Sequence, residues 1–356
     1  MSQPADPDSG ADRGWRLAAM AGLSVRLIQG FIYWGGGSRR FIYAPAKLDA
    51  WGGHNWMANK FQTAMPGALL GTGHLVSFLL HHFWLLYAGV IAFSAAELIA
   101  GAMLMAGLMT RAAALVSMGF SVVLMLLFGW QGATCIDEWT MAAANLAMGT
   151  TLLLGGSGAF SLDTWLLARR PALAGSGWFR LAAGALPLNL PDATYRRLSL
   201  GLLGFVLAFD IGTYSYYRGS VIGPFHSGPV SPTKHHFTLA EARLMPDGGV
   251  RFHIYLDGGT PEAPAHVMQA VLRDDTGRMA ARWTTDDLTH LPAAAITNDY
   301  AYNIFKPGPY GLVAGMGAAA TVTLPAPSGG AAHGGDVLVL TDVNGREFRA
   351  RVAGGR

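Results

Sequence analysis

Long apolar stretches separated by short polar ones fill the first 217 residues. Five of these stretches suit a helix that crosses a bilayer core, which needs about 20 mostly apolar residues: 17–34, 83–109, 112–130, 139–156 and 198–217. A sixth stretch at 66–80 is shorter and rich in glycine, and it predicts an interfacial or re-entrant segment. The pattern indicates a membrane α-helical bundle of four helices with a fifth transmembrane helix.

The pattern changes after residue 217. Short runs of alternating apolar and polar residues predict strands, and turn signals such as Asn344-Gly345 separate them. The runs occupy 250–256, 265–272, 310–313, 320–324, 337–341 and 347–352. Regular spacing of short strands is typical of an all-β sandwich.

Composition supports a membrane protein. Hydrophobic residues make up 51% of the chain and charged residues 13%, against about 25% charged in soluble domains. These values exclude a disordered chain and argue against an ordinary cytosolic enzyme. The positive charges are scattered through apolar sequence, so the pI near 9.0 does not indicate nucleic-acid binding.

Several cofactor classes lack their sequence signatures. The single cysteine excludes an intrachain disulfide, a multi-thiolate iron–sulfur cluster and a Cys-x-x-Cys-His haem site. There is no G-x-G-x-x-G fingerprint for flavin or nicotinamide. Adjacent histidine pairs without a suitably spaced third ligand do not indicate a metal. We therefore expect no metal, haem or flavin.

Basic residues predict the orientation of the spans. The link between the fourth and fifth spans carries Arg169, Arg170, Arg180, Arg196 and Arg197. We expect this link and the N-terminus to be cytoplasmic, and residues 35–82, 131–138 and the β domain to be extracytoplasmic. The compartment implied is a bacterial-type inner (plasma) membrane with the lipid bilayer as a partner. Residues 35–82 contain four basic residues, Arg39, Arg40, Lys47 and Lys60, which run counter to this rule. The eight basic residues of the segments expected inside outnumber them.

Three ionisable residues, Arg26, Glu97 and Asp210, lie within predicted spans, where an ionised group needs a partner or a wet cavity. We expect Asp210, near the outer end of its span, to pack or to snorkel to the interface. Arg26 and Glu97 would neutralise each other as a buried structural pair. Alternatively, they form a site for a quinone head group or for protons. Tyr33 and Trp34 belong either to that quinone pocket or to an aromatic belt.

The single cysteine, Cys135, lies in the predicted turn before the fourth span. A position before a helix N-terminus favours a thiolate, and Asp137 and Glu138 are placed to exchange protons. The alternatives are a small buried hydrophobic residue and two carboxylates that favour the start of a helix.

A glycine–arginine run, Gly35-Gly36-Gly37-Ser38-Arg39-Arg40, follows the first span. We expect the glycines to end the helix and let backbone N–H groups approach a ligand. Two adjacent arginines suit a dianion, although snorkelling to the interface is an alternative.

Two stretches resemble the DoxD subunit of thiosulfate:quinone oxidoreductase: residues 33–41 and 134–140, which hold the glycine–arginine and cysteine motifs. Residues 97–111 resemble the broader DoxX-like membrane family. Residues 214–236, 296–300 and 310–312 resemble the DoxA subunit. The resemblance implies a DoxD–DoxA fusion with four parts: a DoxD-like bundle (1–170), a cytoplasmic linker (171–195), a fifth transmembrane helix (196–217) and a DoxA-like β domain (218–356).

The resemblance implies oxidation of two thiosulfates to tetrathionate, with membrane quinone as the electron-accepting substrate. In our hypothesis, Cys135 forms a covalent thiosulfonate and Asp137 or Glu138 passes protons to the quinone. The cations expected to bind sulfonate oxygens are Arg39, Arg40, Lys47, Arg218, Lys234 and His235. Two alternatives stay open: a non-catalytic membrane scaffold that binds a partner, and a quinone reductase for another sulfur species such as sulfite or sulfide. A homo-oligomer is also left open.

Overall fold

The computed structural model describes residues 10–51, 53–131, 138–158, 160–218, 234–327 and 331–354. The chain divides into two compact units. The first contains residues 1–50, 87–126 and 136–215. The second contains residues 51–86, 127–135 and 216–356, so the loop after the first predicted span belongs with the β domain.

Helices fill the N-terminal part of the described chain. They are α1 (Gly10–Ala21), α2 (Leu23–Ser38), α3 (Met57–Ala64), α4 (Thr72–Leu80), α5 (Phe83–Ala106), α6 (Thr110–Phe128), α7 (Glu138–Gly155), α8 (Leu162–Arg169), α9 (Gly177–Ala182) and α10 (Asp192–Arg218). A π-helical turn, Arg39–Tyr43, continues α2, and short 3-10 turns lie at Pro45–Lys47, Gly53–Asn55, Met65–Gly67 and Pro171–Gly175.

Three of these helices are long and apolar enough to cross a membrane: α5, α6 and α10. The bent pair made by α1 and α2, with an angle of 42° between its halves, gives a fourth if it counts as one span. Five spans were expected, and α7, which covers the fourth of them, does not meet this test. Polar residues, including Glu138 and the buried Asn145, lower the mean hydropathy of this 18-residue helix.

Helices α2 and α5 approach closely because glycine lies where they meet. A Cβ atom at Gly30 would lie 2.7 Å from the Met105 nitrogen, and one at Gly37 would lie 2.6 Å from the Leu98 nitrogen. Small residues are typical of close contacts between membrane helices. The two positions are seven residues apart, which places them on one face of α2.

Two fully buried charges organise the segment that follows α7. Arg111 donates four hydrogen bonds of 2.6–2.9 Å to the carbonyls of Leu153, Arg180, Ala183 and Leu186. Asp163 accepts hydrogen bonds from Met109 N, from Gly184 N, and from the amide and hydroxyl of Thr110. Residues 171–195, expected as a linker, are thus tied to α6 and α7 and contain α9.

The C-terminal domain is all-β, as predicted, apart from a short helix α11 (Thr285–Thr289) and a 3-10 turn at Ala293–Ala295. Its strands are β1 (His236–Leu244), β2 (Val250–Gly258), β3 (Ala265–Arg273), β4 (Met279–Trp283), β5 (Ile296–Asn298), β6 (Phe305–Gly308), β7 (Gly311–Ala314), β8 (Ala319–Leu324), β9 (Val337–Asp342) and β10 (Glu347–Arg351). All six strands expected from alternation are present.

The strands form two antiparallel sheets. One has the order β1-β2-β8-β5, and the other β10-β9-β3-β7-β6, with β4 also paired to β3. Alternate residues of β2, namely Phe252, Ile254 and Leu256, enter a single apolar core with Leu338 and Leu340 of β9. The opposite face of β2 carries His253 and Tyr255.

The loop between α2 and α5 is held to the β domain by the fully buried amide of Gln62 on α3. Its Nε2 donates to the carbonyls of Asn303 (2.8 Å) and Gly317 (2.9 Å), and its Oε1 accepts from the Asn303 amide (2.8 Å). Asn303 Nδ2 in turn donates to the Asn59 carbonyl at 3.0 Å. Gly317 has a φ of +78°, and a Cβ there would collide with the Gln62 carbonyl.

Aromatic residues complete this attachment. Trp130, 1% exposed, packs in the same core as the β strands and donates Nε1–H to the Ala64 carbonyl at 2.8 Å. Trp56 and Tyr302 pack edge to face with ring centroids 5.0 Å apart. Residues 53–86, here called the outer loop, are therefore a structural component of the second unit.

We predict that Gln62→Ala lowers the free energy of unfolding of the second unit by about 2–4 kcal/mol. The substitution removes three hydrogen bonds, each contributing ~1 kcal/mol net, and leaves buried partners unsatisfied. Thermal or denaturant unfolding of the detergent-solubilised chain, followed by tryptophan fluorescence, measures the effect.

Asn344→Ala, in an exposed β-turn, is the control and should change the free energy by less than about 0.5 kcal/mol. An unchanged free energy of unfolding in Gln62→Ala would contradict the contacts described here.

Candidate functional site

An ion pair joins α2 to α5. Arg40, in the π-helical turn after α2, donates from Nη1 to Oε2 of Glu97. Their side chains are 18% and 12% exposed, so both charges are largely withdrawn from solvent. An ionised side chain within an apolar bundle needs a partner of opposite charge, because it has lost most of its hydration. The residues were both candidates from sequence, but as parts of different sites.

The glycine run serves this pair in a way that differs from the expectation. The glycines do not end the helix, because α2 runs through them to Ser38. Instead, the Glu97 carboxylate occupies the space where a Cβ of Gly36 would lie. Glycine is thus the residue type that a close approach requires, as expected, but the group that approaches is a carboxylate of α5 rather than a ligand.

The two adjacent arginines have different environments. Arg39 is exposed, whereas Arg40 is half-buried against Glu97. Lys47, in the 3-10 turn that follows, is half-buried. The arginine pair therefore does not present two equivalent cations to a dianion.

Arg26 does not pair with Glu97. Its guanidinium donates to the main-chain carbonyls of Ser157 and Phe160, the latter at 2.6 Å. Arg26 thus ties α2 to the turn after α7, and the carbonyl oxygens supply the compensation that a carboxylate was expected to give.

A row of buried polar side chains lies between α2, α6 and α7. The Tyr33 hydroxyl contacts the Ser117 carbonyl and the Ser121 hydroxyl, both at 2.9 Å. Gln29 Nε2 donates to Ser117 Oγ at 3.1 Å and to the Asn145 carbonyl at 2.8 Å. Trp34, the next residue along α2 after Tyr33, is half-buried.

Sequence reasoning identified Tyr33 but missed Gln29, Ser117 and Ser121. Each interrupts an apolar stretch and could have been found by that signal, because buried polar residues in membrane helices face the bundle interior. The row offers hydroxyl and amide groups of the kind that hydrogen-bond a quinone carbonyl.

The cysteine motif lies mainly outside the described residues. Cys135 and Asp137 fall in the segment 132–137, for which no placement is described. Glu138 is half-buried and is the first residue of α7, where a carboxylate complements the positive end of the helix dipole.

The expected cations of the C-terminal part are described only in part. The Arg218 side chain lies outside the described part, and Lys234 is exposed. His235 is half-buried, and its main-chain carbonyl accepts a hydrogen bond from Arg346 at 3.3 Å. Burial, and next the proximity of His235, lowers the pKa of His266 on β3.

No group of three or more His, Cys, Asp and Glu side chains within the described ranges is arranged to hold a metal ion.

Two protein families match the chain. The family described as TQO small subunit DoxD, where TQO denotes thiosulfate:quinone oxidoreductase, matches residues 22–189. The family described as TQO small subunit DoxA matches residues 217–351. The chain is a DoxD–DoxA fusion. No solved structure matches it significantly.

The family boundaries differ from the structural ones in an informative way. The DoxD part contains the outer loop, yet this loop lies in the same compact unit as the DoxA part. The contacts of Gln62 and Trp130 with the β domain are therefore contacts between DoxD and DoxA sequence. The DoxD part also holds Arg40, Glu97 and the polar row around Tyr33.

We predict that Glu97→Gln destabilises the DoxD part by about 3–5 kcal/mol, the usual cost of removing one partner of a buried ion pair. The Arg40 guanidinium would keep its charge without a carboxylate. The melting temperature of the solubilised chain measures the loss, and the double variant Arg40→Gln/Glu97→Gln should recover part of it.

Glu241→Gln is the matched control. This carboxylate pairs with Arg243 at the surface, with side chains 73% and 56% exposed, and such pairs contribute at most about 1 kcal/mol. Equal melting temperatures for the Glu97 and Glu241 variants would disprove the buried pair.

Proposed function

We propose that this chain is a thiosulfate:quinone oxidoreductase that carries the catalytic chemistry in its DoxD part. The observation that supports the proposal is the presence of both TQO small-subunit families in one chain. The membrane-spanning helices give access to a membrane quinone. We place the DoxA part and the outer loop on the extracytoplasmic side of a bacterial plasma membrane, in accordance with the arginine-rich link.

The overall reaction fixes what the protein has to supply. Two thiosulfate dianions lose one electron each and join through a new S–S bond as tetrathionate. The quinone takes both electrons and two protons and becomes quinol. A site for this reaction therefore needs cations for the dianions and groups that deliver protons to the quinone.

In the first step, the Cys135 thiolate and the sulfane sulfur of one thiosulfate form an S–S bond. The two electrons released reduce the quinone, and Asp137 or Glu138 passes on the two protons that the quinol requires. In the second step, a second thiosulfate attacks the sulfane sulfur of the adduct. The Cys135–sulfur bond breaks, and tetrathionate and the thiolate are released, as in thiol–disulfide exchange.

The arginine environments suggest a division of roles. Exposed Arg39 suits binding of a sulfonate group, together with Lys47. Arg40 forms an ion pair with Glu97, so its charge is already compensated. We therefore assign Arg40 to holding the C-terminal end of α2 against α5. On the quinone side, we assign the hydrogen-bonding groups around Tyr33 and Gln29 to the quinone head group, with Trp34 beside them.

A second function is favoured by the family descriptions themselves. Both are described as small subunits, which is compatible with an accessory membrane module that binds a catalytic partner. In that case Cys135 has no covalent role and the chain alone does not reduce quinone.

We expect the purified, detergent-solubilised chain to reduce a soluble quinone analogue anaerobically when thiosulfate is added, with one tetrathionate formed per quinone. Cys135→Ser should lower kcat by at least about a thousandfold, as removal of a catalytic nucleophile does. Intact-mass analysis after addition of thiosulfate and quinone should detect the thiosulfonate adduct in the parent chain and not in the variant.

If the chain is an accessory module, the purified chain should not reduce quinone by itself and Cys135 should form no adduct. Full quinone reduction by Cys135→Ala, with no adduct in the parent, would eliminate the covalent mechanism. A folded chain that is inactive alone and gains activity with a partner subunit would establish the accessory role. Arg349→Gln, at an exposed β10 position, is a charge-matched control for Arg39→Gln, which should raise the KM for thiosulfate.

A further inference from the structure

A cavity of about 460 Å³ lies where the outer loop covers one face of the β domain. We call it the loop–sheet cavity. From the loop it is lined by Met65, Pro66, Ala68, Gly71, Gly73, His74 and Ser77, and from the sheet by His253, Tyr255, Asp299, Tyr300 and Ala319. All of these belong to the second compact unit. Its volume lies within the ~300–1,000 Å³ typical of ligand sites.

Strand alternation explains why polar groups meet here. On β2 the residues Phe252, Ile254 and Leu256 point into the core, so His253 and Tyr255 lie on the other face. Asp299 follows β5 and is fixed by its amide, which donates to the Ala319 carbonyl at 2.9 Å. These residues would lie on an open sheet face if the loop did not cover them.

The side chains are held in place by hydrogen bonds. His253 Nε2 lies 2.9 Å from Asp299 Oδ2. The hydroxyls of Ser77 and Tyr300 are 2.8 Å apart and join the loop to the sheet. Burial raises the pKa of Tyr255, so its phenol remains a donor at neutral pH.

The balance of donors and acceptors selects the ligand. Five side chains around the cavity carry N–H or O–H groups: His74, Ser77, His253, Tyr255 and Tyr300. Among the described lining residues, Asp299 is the one carboxylate, and His253 Nε2 lies against it. A cation would find a single carboxylate already engaged. A ligand with several acceptor oxygens and no donors fits the set.

We propose that the loop–sheet cavity binds a small sulfur oxyanion, of the chemical class that contains thiosulfate and tetrathionate. The inference rests on the proposed function for the identity of the oxyanion. It assigns to the DoxA part, together with the outer loop of the DoxD part, a site for the sulfur compound.

Footprinting of the full-length chain in detergent, without quinone, tests this proposal. Diethylpyrocarbonate modifies exposed histidines, and His74 and His290 are both exposed. His290 pairs with Asp286 at 3.2 Å outside the loop–sheet cavity and therefore serves as an internal reference. We expect thiosulfate to lower the ratio of His74 to His290 modification in a saturable manner, and sodium chloride at equal ionic strength to leave it unchanged.

Tyr255→Phe should shift the thiosulfate concentration for half-protection of His74 upward by about tenfold, because it removes one hydrogen bond to a charged ligand. Tyr310→Phe, at an exposed tyrosine of the same domain, should leave that concentration unchanged. An unaltered melting temperature establishes that each variant is folded. A ratio that does not respond to thiosulfate or tetrathionate, or equal protection in Tyr255→Phe and the parent, would overturn the proposal.

The test separates this inference from the proposed function. Cys135→Ser should abolish turnover and leave the protection of His74 intact. If thiosulfate protects His74 but the chain does not reduce quinone, the binding site is supported and the proposed activity is rejected. If the chain reduces quinone but thiosulfate does not protect His74, the activity is supported and the binding site is rejected.

Discussion

The buried amide of Gln62 is the interaction on which the second unit depends. A carboxamide carries two donors and an acceptor that must all be satisfied when it is withdrawn from water. Here the donors bind the carbonyls of Asn303 and Gly317, and the oxygen binds the Asn303 amide. Because hydrogen bonds are directional, all three can form at only one position of the outer loop on the β domain. Apolar packing alone is less directional and would define that position less sharply.

That specificity extends to the chemistry of the sheet face. The outer loop carries His74 and Ser77, and the sheet carries His253, Tyr255 and Asp299. Neither part encloses a cavity by itself. Because Gln62 and Trp130 fix the loop against the β domain, the polar groups of both parts face a common volume. A division of the sequence at the DoxD–DoxA boundary would therefore divide one structural site.

Sequence reasoning succeeded where a periodic pattern determines the structure. Alternation identified six strands that contribute residues to the core, and it missed β1. In that strand the pairing with β2 shifts between Ala240 and Arg243, and Glu241 has a φ of +50°. A bulge of this kind breaks the period of two on which the method relies. The short strands β4, β5 and β6, of three to five residues, were also missed.

Partner choice could not be read from the chain in the same way. Arg26 and Glu97 are both charges in apolar stretches, and sequence alone offered each to the other. In the structure, carbonyl oxygens of the turn after α7 accept hydrogen bonds from Arg26. The helix continues past Gly37, and this places Arg40 next to Glu97. Backbone carbonyls have no sequence signal, which is why the pairing remained open until the fold was known.

The attachment of the outer loop also sets an order of events during synthesis. Residues 53–86 leave the ribosome long before β9 and β10, which close the second sheet. At about 5–20 residues per second, the interval is roughly 10–50 s. Throughout that time Gln62, Trp56 and Ala64 have no β domain to bury them. The helices that follow the outer loop therefore leave the ribosome while the β domain is incomplete. During that interval the apolar and polar groups of the outer loop lack the partners that bury them in the folded chain, and the outer loop reaches its final packing only after the β domain has been synthesised.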